Sequence, residues 1–163
     1  MDNLSIAFKS MKRFYNDIEK NPPYGISVTL PNPDDFTLWM VSMKGPKDTP
    51  YEHNTYKLEL IHRDRFSPPS VRFVGRIPLH PNIGEDGTIC LDILTNKESY
   101  PCAIAGENAL ISIQSLLSDP NPHECLRISL GALLLKDPDT YNEIIRMHCQ
   151  GDDLLFDELI NDK

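Results

Sequence analysis

A chain of 163 residues with 16 basic and 24 acidic side chains has a formal net charge of −8; 40% of it is hydrophobic and 25% charged. Surface scaling lets such a chain bury about 70% of its unfolded surface, enough for one ordinary domain and hardly for two. This balance argues against a disordered chain and against a nucleic-acid binder, which needs a cationic face for phosphates, while it suits a partner with a basic surface.

Elements follow in order. Residues 4 to 20 place Ala7 or Phe8, Met11, Phe14 or Tyr15, and Ile18 at helical spacing, so an amphipathic helix is predicted, stopped by Pro22-Pro23. Ile26–Leu30 alternates like a strand and closes at the turn Pro31–Asp35. Phe36–Met43 is apolar on both faces, as a central strand would be, and Gly45-Pro46 ends it. Thr55–Ile61 sets Tyr56, Leu58 and Leu60 against Lys57 and Glu59, a strand with one wet face, and Val71–Val74 is a fourth strand after Pro68-Pro69. From Arg76 to Ala105 no period is sustained; so long an irregular stretch inside a compact domain is usually functional.

Helices return with Ala109 or Leu110, Ile113, Leu116 and Leu117, stopped at Asp119-Pro120-Asn121-Pro122. Leu126–Leu135 is the next, with Arg127 and Lys136 outside. The last opens on Asp137 as N-cap and Pro138, buries Tyr141, Ile144, Ile145 and His148 or Cys149, and ends at Gly151. Sequential strands with helices set apart describe an α+β fold on an antiparallel meander.

The start, Met1–Ser5, has an early acid and no apolar core, so no signal peptide is expected. The longest apolar run, Leu130–Leu135, is far too short to span a bilayer, and no membrane partner is expected. Cys90, Cys102, Cys125 and Cys149 lack C-x-x-C spacing, which suggests reduced thiols in a cytoplasmic or nuclear protein, one of them reactive. His53, His62, His80, His123 and His148 are scattered without ligand spacing, so no metal is expected.

The chemistry is concentrated between His80 and Leu94. Gly84–Gly87 is a tight turn that folds the segment back and brings Asn82 towards Cys90. An amide N–H aimed at a thioester carbonyl stabilises the oxyanion formed on attack. The plainer alternative, a buried small hydrophobe at Cys90 and a turn residue at Asn82, is open on spacing alone.

These motifs resemble the ubiquitin-conjugating enzymes. The family's His-Pro-Asn triplet stands at His80-Pro81-Asn82 and its cysteine, eight positions after the Asn, at Cys90. Trp39 before Gly45-Pro46, Asp48–Glu52, Pro68-Pro69 and Leu116–Pro122 match as well. The likeness implies the ubiquitin-conjugating enzyme fold, with an N-terminal helix, a four-stranded antiparallel meander and C-terminal helices, over a core domain of residues 5–152; residues 153–163 remain as a short acidic tail.

It further implies that Cys90 accepts ubiquitin or a ubiquitin-like modifier from an activating enzyme and passes it to a substrate lysine, usually with a ligase. The chain itself then uses no cofactor, ATP being consumed by the activating enzyme. Asn82 would hold its loop and polarise the thioester carbonyl; His80 and Pro81 would be structural. Glu124 falls where many members carry an Asp beside the thiol, so it either orients the incoming ammonium and takes its proton or is a solvated residue near a helix start. Asp92 either orients the amine or caps the loop.

Partner contacts are implied for Lys9, Lys12 and Arg13 on the first helix and for Phe66, Tyr100 and Pro101 in the loops. Departures bear on partner choice. The Tyr-Glu-Gly-Gly turn of the family is Tyr51-Glu52-His53-Asn54 here, which would place a positive φ on His53 or Asn54. Asp64–Pro69 keeps Phe66 but loses an aromatic and a proline, Ser99-Tyr100-Pro101 replaces Trp-Ser-Pro, and Ser10 stands at a common Arg position, so pairing with a RING-type ligase is an open expectation. Two other classes compete: an inactive binding module of the same fold, and a cysteine hydrolase pairing Cys90 with His80 or His123. The tail either binds a basic partner or folds back on its Leu/Phe/Ile stripe.

Overall fold

The computed structural model describes residues 3–63, 67–95 and 105–151. Among the described residues nine elements follow one another: α1 (Asn3–Lys20), β1 (Ile26–Thr29), β2 (Leu38–Lys44), β3 (Thr55–Ile61), β4 (Ser70–Val74), α2 (Asp92–Thr95), α3 (Ala105–Ser118), α4 (Ile128–Lys136) and α5 (Pro138–Gln150). The strands form one antiparallel sheet in the order β1-β2-β3-β4.

Register puts one apolar set on one face. Val28 pairs with Val41, Val41 with Leu58 and Leu58 with Phe73; Trp39, Leu60 and Val71 form the next row. Because side chains alternate across a strand, this single register sends Trp39, Val41, Met43, Tyr56, Leu58, Leu60 and Phe73 into the core together. Met11, Tyr15 and Ile18 of α1 and Leu110, Ile113 and Leu117 of α3 join them. The sequence suggests burial of both faces of β2, yet Leu38 and Met40 are only half-buried. No helix covers that side of the sheet among the described residues; instead Arg72 and Glu59 sit opposite each other there and pair at 2.8 Å.

Helix signals hold in detail for α5. The Asp137 carboxylate accepts from Thr140 N at 3.1 Å, Pro138 opens the helix, and Gly151 ends it at φ 85. The preceding helix begins later than its apolar run suggests. Arg127 is its N-cap, and Leu126 lies outside it and is exposed. The turn after β2 also departs from expectation: positive φ falls on Asp48 (60°), not on His53 or Asn54. Asn54 instead uses its amide as a strut, donating to Cys149 O at 3.2 Å and so tying the end of α5 to the sheet.

Phe66, Tyr100, Pro101, Cys102 and the tail 153–163 lie outside the described residues. No described helix is long and apolar enough to cross a membrane.

Candidate active site

The chain leaving β4 builds the site without a long strand. Gly84 N donates to Thr88 O and Gly87 N to Gly84 O, closing the predicted turn. Thr88 locks it by donating its backbone N–H and hydroxyl to Asp86 at 3.0 and 2.8 Å, which holds that carboxyl below its usual range. Gly87 is required at this point: its φ is 83°, and a Cβ there would collide with the Phe73 carbonyl, because Phe73 N donates to Gly87 O at 3.0 Å. The turn is thereby pinned flat against β4. Its far limb returns to put Cys90 N on Asn82 O at 2.9 Å.

His80 is wholly buried and holds the near limb. Its Nδ1 accepts from Asn82 N at 3.0 Å, so the neutral ring carries its proton on Nε2 and donates it to Leu116 O at 2.9 Å. Burial drives its pKa down to about 4. With both nitrogens engaged, His80 has no lone pair to offer Cys90 as a base. His123 is exposed on the next loop. Pro81 is buried, and its carbonyl accepts from Leu126 N and Arg127 N at 2.9 and 3.0 Å.

Asn82 is also fully buried, and its carboxamide spends every hydrogen-bonding group on the loop between α3 and α4. The amide N–H groups donate to Asn121 O at 2.8 Å and Glu124 O at 2.7 Å, while Oδ1 accepts from Asn121 N at 2.9 Å. No N–H is left over to aim at a thioester. Of the two roles read from sequence, this geometry engages the whole amide in holding the loop: Asn82 is the tie that fixes residues 121–124 against the Cys90 segment.

That tie decides where Glu124 stands. Cys90 is half-exposed, and its pKa is raised by partial burial first and then by the charges of Glu124 and Asp92. Both carboxylates are exposed, and Asp92 opens the short α2 that sequence periodicity did not indicate. A thiol under two acids holds its proton more tightly, while the same field attracts an ammonium. One measurable consequence concerns alkylation. The pH midpoint of iodoacetamide labelling at Cys90 is expected above that of a free thiol, and Glu124→Gln is expected to move it down; an unmoved midpoint would separate the two groups.

The sequence places Arg127 on the outside of a helix. It is half-buried and donates from Nε to Ile83 O at 2.8 Å, a second clamp between the same two segments. Its only sequence signal is a cation placed just ahead of the apolar run 128–135. Lys9, Lys12 and Arg13 all face solvent on α1; Lys12 lies 5.6 Å from the Phe36 ring centroid, and Arg13 pairs with Asp17 at 3.8 Å. Groups of three or more metal-binding side chains are absent among the described residues.

The ubiquitin-conjugating enzyme family model matches residues 10–149. Over 138 residues the chain is 41% identical to "Ubiquitin-conjugating enzyme E2 3" of Arabidopsis thaliana, covering 83% of this chain and 89% of that one. Over 131 residues it is 38% identical to "Ubiquitin-conjugating enzyme E2 1" of Caenorhabditis elegans, covering 79% and 66%. The chain belongs to the ubiquitin-conjugating enzyme family, and its fold and transferase class are those of the family.

Proposed function

We propose that Cys90 is the carrier thiol, that ubiquitin is the modifier, and that Glu124 and Asp92 receive the acceptor lysine. The observation carrying this reading is the half-exposed Cys90 thiol in the combined field of those two carboxylates. Loading exchanges one thioester for another. The Cys90 thiolate attacks the carbonyl held on the activating enzyme, and that enzyme's thiolate leaves, so the step needs no ATP on this chain.

Transfer reverses the role of the sulfur. A lysine amine attacks the Cys90 thioester, the thiolate leaves, and the amine's proton passes to a carboxylate at the mouth of the site. Asn82 acts through Glu124's loop and is a positioning residue. The exposed cations Lys9, Lys12 and Arg13 supply the α1 surface for the activating enzyme or ligase, and Phe66, Tyr100 and Pro101 the loop surface. A reducing compartment, cytoplasmic or nuclear, suits a free carrier thiol.

Incubation with activating enzyme, ATP and modifier is expected to give an adduct that thiols remove and that Cys90→Ala abolishes. Absence of any adduct would make the chain a binding module, and cleavage of a modifier ester without activating enzyme would make it a hydrolase.

A further inference from the structure

Cys125 follows Glu124 directly, and the transfer chemistry leaves its thiol unused. The sulfur nonetheless has a built niche. Sγ donates to Pro122 O at 3.0 Å and lies 3.7 Å from Asn121 O. Partial burial raises the pKa of this thiol, so it keeps the proton that it donates. The far wall of the niche is Gly131 on α4. A Cβ there would overlap the sulfur and would stand 3.2 Å from Pro122 O and 3.3 Å from the Cys125 Cβ. Glycine inside a helix costs about 1 kcal/mol relative to alanine, and at 131 it leaves room for one sulfur atom.

The helix is the fixed side of this contact, because Leu130 is part of the core and Leu133 and Leu134 pack against it. The loop is the side with freedom. Asn82 holds it at Asn121 and at Glu124 O, and Pro81 O holds it at Leu126 N. Between these ties the Cys125 S–H meets the Pro122 carbonyl, and that bond closes residues 122–125 into a short ring with Glu124 inside it. An S–H is a weak donor, so the bond works together with the fit of the sulfur against Gly131.

We propose that Cys125, seated against Gly131, is a positioning residue for transfer: it fixes the turn from which Glu124 presents its carboxylate to the amine attacking at Cys90. The proposal rests on the reading of Glu124 as a group that receives the acceptor lysine. Cys125 acts through Glu124 and not through thiol chemistry of its own. The sulfur and the missing side chain at 131 are two halves of one fit. Removing the sulfur empties the niche, and adding a methyl at 131 expels the sulfur and presses on Pro122 O and the Cys125 Cβ as well. Changing both residues to alanine puts a methyl where the sulfur was.

The full chain is compared with Cys125→Ala, Gly131→Ala, the double variant, Cys125→Ser and Glu124→Gln. Each single alanine variant is expected to load modifier at the parent rate and to discharge it to lysine about tenfold more slowly, a small displacement of the reacting geometry being enough. The double variant should recover most of the lost rate, a coupling that independent sites do not show. Cys125→Ser keeps a hydroxyl donor for Pro122 O and should discharge like the parent. A second readout does not follow stability: the pH midpoint of iodoacetamide labelling at Cys90, resolved by mass spectrometry of its peptide. Each single alanine variant should move it down, as Glu124→Gln does, and the double variant should bring it back. Additive slowing in the double variant would overturn the proposal, as would equal losses in loading and discharge. So would a Cys90 midpoint that responds to Glu124→Gln and to neither alanine variant. Should Glu124→Gln itself change neither midpoint nor discharge, the reading of Glu124 fails first and takes the proposal with it. In a chain that never loads modifier the carrier role alone is lost, and the labelling midpoints still decide the positioning.

Discussion

Asn82→Ala is expected to load modifier on Cys90 at close to the parent rate and to discharge it to lysine about a hundredfold more slowly, the penalty typical of a reacting geometry displaced by an ångström. The two steps part company because they use different atoms. Loading needs the Cys90 sulfur, which hangs from the Asn82 backbone carbonyl and keeps that bond in the variant. Discharge needs Glu124 in place, and Glu124's carbonyl loses its bond to the Asn82 amide.

Truncation also strips partners from Asn121 O and Asn121 N. These bonds are part-buried and a net hydrogen bond is worth about 0.5–1.5 kcal/mol, so a lower denaturant midpoint accompanies the kinetic defect. Asn82→Asp keeps the acceptor for Asn121 N but turns a carboxylate towards two carbonyls, and it should discharge no faster than the alanine variant. Single-turnover discharge to free lysine, followed on preloaded enzyme, is the measurement. Matching rates for Asn82→Ala and the parent would take Asn82 out of the mechanism.

The second large effect is loss of stability in mild acid. His62 and His80 are both buried, and burial holds each pKa down to about 4. His62 stacks edge-on against Trp39 at 4.7 Å between centroids, and its Nε2 finds no hydrogen-bond partner among the described residues. An unfolded chain takes up a proton on each ring near pH 6.5, whereas the native chain takes none until about pH 4. The unfolded state binds more protons throughout that window, so stability is complete above it and falls as the pH drops through it. Each imidazole contributes about 3 kcal/mol of that fall, by the usual conversion of a pKa difference to free energy.

Denaturant titrations at neutral pH and between pH 4 and 6 should show the decline. His62→Phe keeps the stacking on Trp39 and deletes the orphan nitrogen, so it should flatten the decline by about half. The same decline in parent and variant would exclude His62 as a source.

Much of this molecule is legible before folding. The glycine turn 84–87, the proline stops and the Asp137/Pro138 helix start are local devices; each works through bonds within a few residues of itself, and each is found where its motif lies. Apolar alternation likewise names the core strands. It overstates the outer face of β2, because a pattern records which residues tolerate burial and not whether a helix arrives to cover them. The late start of α4 has a similar cause. Leu126 and Arg127 lie at the head of the predicted helix but give their N–H groups to Pro81 O, a partner that no local pattern reveals.

By itself the sequence determined the order of elements, the thiol at Cys90 and the acids in reserve at Asp92 and Glu124, since these are matters of residue type and near spacing. Only the tertiary structure decided that every group of the Asn82 amide is taken up by Asn121 and Glu124, and that Arg127 clamps Ile83 O. Which carbonyls surround a side chain depends on segments distant in the chain meeting at one place.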